Sequence, residues 1–439
     1  MQLDRFRTAS LNDLRILRVL QACIQAVDPS KLVSQALSQM ALPAHEHIYL
    51  LGLGKAAEAM TFAAATILSD FSAALIITKR VSAQAMDLGA TSFPIYPEPV
   101  DSRRVTILEA GHPIPDDGSL AAGRAALDFV SRIGARDLLV CLISGGGSAM
   151  AAVPVRGVGL ADLQELTSSL LASGATIDEI NVLRRELDRV KGGGLAAATP
   201  AAIVSLILSD VPGDRLEAIA SGPTAPNPTG NEDANEILHR YSINPRPAIQ
   251  RVLSFASPIK RTVLRGRVQN RVIGNNRLAV MAAARQAEME GIHTELFERT
   301  LRGEARQLGV ELAGRVSHLL VSGPRPECLI CGGETTVTVT GKGRGGRNQE
   351  LALAAVEELA GFERTILVSL ATDGEDGLTD AAGAVVTGRT RERGEQLGMK
   401  AHEYLRDNDA YPYFEALGDL MQTGPTGTNV NDVVLLFCV

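Results

Sequence analysis

The sequence predicts an α/β protein of two α/β domains, a parallel-sheet domain followed by a mixed-sheet one. Three observations carry this. Apolar β-type runs alternate with helix-type stretches almost throughout, the order that builds parallel sheets covered by helices. The length, 439 residues, exceeds what one hydrophobic core usually supports. Aromatic residues are 4% and tryptophan is absent, so a 45% hydrophobic chain must build its core from Ala, Val, Leu and Ile, as in strands buried on both faces.

Taken in order, strands are predicted at Ile48–Leu53, Ala74–Thr78, Val105–Glu109, Asp137–Ser144, Ile203–Ser209 and Val272–Gly274. They continue at Glu295–Phe297, Cys328–Cys331, Glu334–Thr340, Thr365–Thr372 and Val433–Phe437. Helices are predicted at Leu11–Val27, Lys55–Leu68, Ser119–Ile133, Leu160–Ser173, Asn276–Gly291, Arg302–Val321 and Glu350–Leu359. Gly332 and Gly333 precede the alternating run Glu334–Thr340, which predicts an antiparallel hairpin with Cys328–Cys331 and so a mixed sheet in the second half. Pro223, Pro226, Pro228, Pro245, Pro247 and Pro258 make Ser221–Pro258 helix-poor and place the boundary there, giving domains 1–250 and 251–439.

A net charge of −7 excludes a general nucleic-acid grip. No run approaches the roughly 18–20 apolar residues of a membrane span, and Met1–Leu20 is charged rather than a signal sequence. Five cysteines in a chain of this length make no disulfide scaffold, and the cytoplasm is the expected compartment. Cys328 and Cys331 form a C-x-x-C spacing on a strand, where positions three apart face opposite sides, which argues against a redox or metal role. The sequence leaves the oligomeric state open; a homo-oligomer is compatible with it.

The chemistry sits in loops. Thr340–Glu350 reads Thr-Gly-Lys-Gly-Arg-Gly-Gly-Arg-Asn-Gln-Glu between a β-type and a helix-type run. Its glycines and basic side chains predict a flexible loop whose N–H groups and guanidinium forks surround an anion at a helix N-terminus. Four more polar loops follow predicted strands: Gly52-Leu-Gly54-Lys55, Ser144-Gly-Gly-Gly-Ser148, Asp210-Val-Pro-Gly-Asp214 and Asp373-Gly-Glu-Asp-Gly377. Ligands of open α/β sheets bind at strand ends, so one joint site in a cleft between the domains is expected.

Gly52-x-Gly54-x-x-Ala57 matches a dinucleotide fingerprint, but the second strand ends in Thr78-Lys79-Arg80 rather than in the acid that holds an NAD ribose. NADP stays open on that basis, while Lys55 at a helix start suits transferring phosphate oxygens. Asp210, Asp214, Asp373 and Asp376 supply carboxylates for Mg²⁺ or for proton acceptance. No P-loop, protein-kinase signature or G-x-S-x-G elbow occurs, so ATP use follows another design. His112, between Gly111 and two prolines, reads as a rigid loop contact or a substrate contact.

These stretches resemble the class II glycerate kinases, a glycerate 2-kinase family with an N-terminal kinase domain and a C-terminal MOFRL domain. The resemblance rests on Leu51–Ala57, Glu109–Asp116, Ile143–Met150, Lys191–Ala196, Ser209–Thr224, Gly341–Glu350, Thr372–Gly377 and Thr423–Asp432. It implies a Rossmann-like first domain and ATP- and Mg²⁺-dependent phosphorylation of D-glycerate at the 2-hydroxyl. Lys55, Asp210, Arg344, Arg347 and Asp373 would then be catalytic, and Asp210 and Asp373 would hold the metal. Gly54, Ser144, Gly145, Gly146, Gly147, Ser148 and Lys191 would bind the nucleotide. The chain departs from the family at Leu183–Asp188, where Glu186 replaces a histidine, and at Gly194, where arginine is usual; both bear on the acceptor. Some relatives carry a hydroxypyruvate reductase label, so an NADPH-dependent reductase is the alternative, with a non-catalytic anion-binding module third.

Overall fold

The structure is a computed structural model describing residues 2–80, 100–255, 266–316 and 327–439. The chain forms two compact units, Pro29–Gly274 and a second that joins Met1–Asp28 to Asn275–Val439. The first helix, Leu14–Ala26, belongs to the second unit because it packs on the helix Asn276–Met289, where Arg18 holds Glu290 through two hydrogen bonds of 2.6 Å. The second compact unit therefore draws on both ends of the chain.

The unit Pro29–Gly274 is built on six parallel strands: β1 (Ile48–Leu53), β2 (Ala73–Lys79), β3 (Val105–Ala110), β4 (Leu138–Ile143), β5 (Ala202–Leu208) and β6 (Val268–Gly274). Their spatial order is β3-β2-β1-β4-β5-β6, and every pairing is parallel. β4 lies inside the sheet and all its residues are buried, so it reads in sequence as the unbroken apolar run Leu-Leu-Val-Cys-Leu-Ile. Helices Ala57–Ile67 and Asp117–Ser131 follow β1 and β3.

Ser221–Pro258 is not helix-poor. Helices Asn231–Arg240 and Pro247–Leu253 form there and pack with Leu160–Ala172 and Ile177–Leu187 around Leu170, Leu183, Leu187, Ile237 and Leu253. Pro247 opens its helix, a position where a missing N–H does no harm. Pro258 lies outside the described residues.

The second unit holds a mixed sheet of β7 (His293–Leu296), β8 (Leu301–Glu304), β9 (Glu327–Thr336), β10 (Thr365–Ala371), β11 (Gly383–Thr387), β12 (Leu420–Met421) and β13 (Asp432–Cys438). Its order is β12-β11-β10-β13-β9-β7, with β8 beside β9. β9 is antiparallel to β13 and parallel to β7 and β8. The expected hairpin between Cys328–Cys331 and Glu334–Thr340 is absent, because Glu327–Thr336 runs as one strand. Gly332 and Gly333 serve close approach, not a turn: a Cβ on Gly332 would strike the Asn276 side chain, and one on Gly333, at φ 148, would strike the Leu301 backbone. Both Cys328 and Cys331 are buried in this strand, and burial pushes their thiols up. The helix expected at Arg302–Val321 covers Ala305–Gly314, and residues 317–321 lie outside the described residues. Among the described residues no helix is long and apolar enough to cross a membrane.

Candidate active site

In the parallel-sheet unit the strand order reverses between β1 and β4, the place where open α/β sheets bind ligands. The loops leaving these two strands are tied together. Lys55 N–H donates to Gly145 O at 2.9 Å, Ala56 N–H to Ser144 Oγ at 2.9 Å, and Ser144 N–H to Leu53 O at 2.9 Å. Gly54 makes this possible: at φ 122 its missing side chain leaves room for the carbonyl and hydroxyl of Ser144. We expect Gly54→Ala to lower stability by at least about 2 kcal/mol, since both φ and space forbid a Cβ. A thermal midpoint unchanged from wild type would contradict this reading.

Other sequence motifs converge on the same loops. The His112 ring lies against Gly146, where a Cβ would stand 3.1 Å from it. Ser148 Oγ is 2.8 Å from Ser221 Oγ, and Gly192 and Gly193 N–H donate to Ser221 O and Gly222 O. Asp210 is half-buried just past β5, the strand next to β4. Lys191 is held by partners within the chain. It is 3% exposed, and its ammonium donates to Asp188 Oδ2 at 2.7 Å and Ala151 O at 3.3 Å. Burial presses its pKa down, against the Asp188 charge that raises it. Arg80, the end of β2 that leaves NADP open, pairs with Asp116 at 3.0 Å.

In the mixed-sheet unit a second group of motif stretches comes together. In the arginine loop several N–H groups have acceptors in the chain. Asn408 Oδ1 accepts from Thr340 and Gly341 N–H, Asp407 Oδ1 from Lys342 N–H, and Asp409 Oδ1 from Arg344 N–H. At the start of the helix Arg347–Ala354, Asp376 accepts from Asn348 N–H at 3.1 Å and Gln349 N–H at 2.9 Å, filling the helix N-terminus with a carboxyl group. Gly346 is required because a Cβ there would meet that carboxyl.

The two arginines differ. Arg344 is exposed, stacks on the Tyr411 ring at 3.8 Å and lies 3.6 Å from Asp380. Arg347 binds the buried Asp432 through both nitrogens of its fork, at 2.5 and 2.9 Å, and Glu334 at 3.0 Å. Burial works against its charge, but Asp432, Glu334 and Asp376 together outweigh that and hold its pKa above the ordinary value. Asp373 is half-buried and accepts from Glu375 N–H at 3.2 Å, while Thr426 N–H donates to its carbonyl. The Thr372 hydroxyl donates to Asn431 O and accepts from Val430 N–H, so the stretch Thr423–Asp432 is fastened to this loop. Sequence reasoning did not pick out Asp432, Tyr411, the Asp407–Asp409 turn or Ser221 as individual contributors; for Asp432 and Ser221 the signal was their place in motif stretches.

Burial pushes the Asp376 carboxyl up to about 7, and the Asp432 charge adds to the rise; the N–H bonds of Gln349 and Asn348 and the Arg347 charge pull the other way. The unfolded carboxyl titrates near 4, so the folded chain holds this proton more tightly. The resulting stability is complete below about pH 4 and is lost as pH rises through 7. Asp376→Asn removes this dependence. From pH 5 to 8 its denaturation midpoint should gain on that of wild type, by up to about 1.4 kcal/mol per pH unit where the protonation difference is complete. A pH-independent gap between the two proteins would refute the assignment.

A family model described as a domain of unknown function (DUF4147) matches residues 15–254, and one described as the MOFRL family matches residues 327–432. The D-glycerate 2-kinase of Thermotoga maritima is 38% identical over 98% of this chain and 99% of that protein. An Agrobacterium vitis protein with a provisional hydroxypyruvate reductase name is 40% identical over 88% of this chain and 97% of its own length. A crystal structure of the Thermotoga maritima glycerate kinase superposes with a TM-score of 0.83 at 38% identity, covering 96% of this chain and 98% of that one. With a parallel sheet of reversing strand order, a mixed sheet carrying the arginine loop and relatives matched end to end, the chain belongs to the MOFRL-type glycerate 2-kinase family.

Proposed function

We propose that this protein transfers the γ-phosphoryl group of ATP to the 2-hydroxyl of D-glycerate, giving 2-phosphoglycerate and ADP. The observation that supports it most is the bonding of the Lys55 loop to the Ser144–Ser148 loop, where Lys55 N–H meets Gly145 O at the reversal of strand order. A lysine fixed there neutralises charge on a transferring phosphoryl group without a P-loop. Gly54 and Ser144–Ser148 form the nucleotide loop, and Lys191 supports it from beneath through Asp188 and Ala151 O. Arg344, exposed and stacked, is the arginine available to phosphate or to the glycerate carboxylate; Arg347 serves the same reaction from its Asp432 clasp.

Asp210 and Asp373 would hold Mg²⁺, or one of them would take the hydroxyl proton. Among the described residues no group of three metal-ligating side chains occurs. Mg²⁺ is bound through one or two carboxylates plus phosphate oxygens and water, and when bound it would neutralise phosphate charge. The site is expected to work in the cytoplasm on a free small molecule.

The test is ADP release with D-glycerate in a coupled assay, with the 2- and 3-phosphoglycerate products separated. Absence of ADP above background would reject the kinase. Loss of NADPH absorbance with hydroxypyruvate would move the assignment to the reductase named for the Agrobacterium vitis relative.

A further inference from the structure

Three consecutive residues, Ala220, Ser221 and Gly222, hold left-handed backbone angles, with φ 50, 59 and 64. Glycine adopts that region freely, whereas alanine and serine are strained in it, and such strain persists only where the surroundings impose it. Here Gly192 N–H donates to Ser221 O at 2.9 Å and Gly193 N–H to Gly222 O at 2.7 Å. The strained turn presses on the serine–glycine loop. The Ala220 methyl would stand 3.0 Å from a Cβ on Gly147, and the fully buried Ser221 hydroxyl is 2.8 Å from that of Ser148.

Behind Ser221 the buried Asn181 sets a direction. Ser221 O–H donates to Asn181 Oδ1 at 3.2 Å. A hydroxyl has one proton. With the Ser221 proton directed to Asn181, the bond between the two serines carries the Ser148 proton, and Ser148 Oγ is left with lone pairs alone. Ser148 is half-buried, so those lone pairs can meet a ligand. They attract an O–H group and repel a phosphate oxygen.

We propose that Ser221, backed by Asn181 and held in the left-handed turn, is a positioning residue that makes Ser148 an acceptor for a ligand hydroxyl, and not a phosphate ligand. The hydroxyl belongs to the hydroxy-acid substrate or to the nucleotide ribose. This rests on the kinase reading of the Ser144–Ser148 loop and refines it.

The experiment compares Ser148→Ala, Ser221→Ala, Ser221→Gly and the double variant Ser148→Ala/Ser221→Ala in the ADP-release assay. KM is measured for D-glycerate, ATP, 2′-deoxy-ATP and 3′-deoxy-ATP. Each single variant should raise KM for one hydroxyl-bearing ligand roughly five- to tenfold, the size of one neutral hydrogen bond. The double variant should be no worse than Ser148→Ala, because Ser221 acts only through Ser148. A rise for D-glycerate assigns the hydroxy acid; a rise for ATP that vanishes with one deoxy nucleotide assigns the ribose. Ser221→Gly should match Ser221→Ala in KM yet melt higher, since glycine relieves the strain. Unchanged KM values, additive losses, or a loss that grows from AMP to ADP to ATP would overturn the proposal. Should wild type show no turnover, the kinase reading falls alone. Calorimetric affinities of the same variants for D-glycerate, AMP, ADP and the deoxy nucleotides then decide this one.

Discussion

Lys55→Ala is expected to lower kcat for ADP formation by roughly two to three orders of magnitude, the usual loss when one preorganised charge-stabilising group is removed. The backbone of residue 55 is what joins the two loops, through its N–H to Gly145 O, and alanine keeps that bond. Gly54 and the Ser144–Ala56 bond are likewise untouched. The fold should therefore persist, with a thermal midpoint within about 2 °C of wild type. The loss should fall on kcat more than on KM, because charge on the phosphoryl oxygens is redistributed in the transition state and a uniform binding role would instead raise KM. Lys55→Arg should recover only part of the rate: it restores charge with a planar fork in place of a compact ammonium. Full activity in Lys55→Ala, or a change in KM alone, would remove Lys55 from the chemistry.

That prediction was within reach of the sequence, and the reason is local. β1, β4 and β5 are buried continuous apolar runs, so their ends could be located to within a residue or so and the polar loops after them stood out. The mixed sheet was harder. β11 and β12 are short and adjoin turns, leaving little periodicity to detect. Gly332-Gly333 looked like a hairpin turn because the constraint on it comes from Asn276 and Leu301, residues distant in sequence. The arginine loop's own bonding was hidden for the same reason. Its glycines signal flexibility to a local reading, but several of its N–H groups bond to Asp407, Asn408, Asp409 and Asp376, which only the fold brings near. Likewise, the partners of the Lys191 ammonium, Asp188 and Ala151 O, are visible only in the fold.

That ammonium carries the other large expectation, one of stability. Lys191→Met leaves Asp188, 1% exposed, with the N–H groups of Val153 and Val190 and, of its countercharges, only that of Arg184. Stranding one member of a buried pair costs about 3–5 kcal/mol. The two backbone donors argue for the lower end, about 3 kcal/mol, or roughly 6–12 °C in the midpoint of a unit this size. Adding Asp188→Asn to Lys191→Met removes the stranded charge; the amide oxygen still accepts from one of the Val153 and Val190 N–H groups, while the amide nitrogen faces the other, so part of the loss should return. The double variant then separates two meanings of Lys191. If the lysine supports the nucleotide loop by holding Ala151 O and Asp188, the restabilised protein keeps a KM for ATP within a few-fold of wild type. If its ammonium touches phosphate, stability returns and ATP binding does not. The burial of Lys191 and its 2.7 Å bond to Asp188 favour the first result, and a stable double variant that cannot bind ATP would place the lysine back at the phosphate.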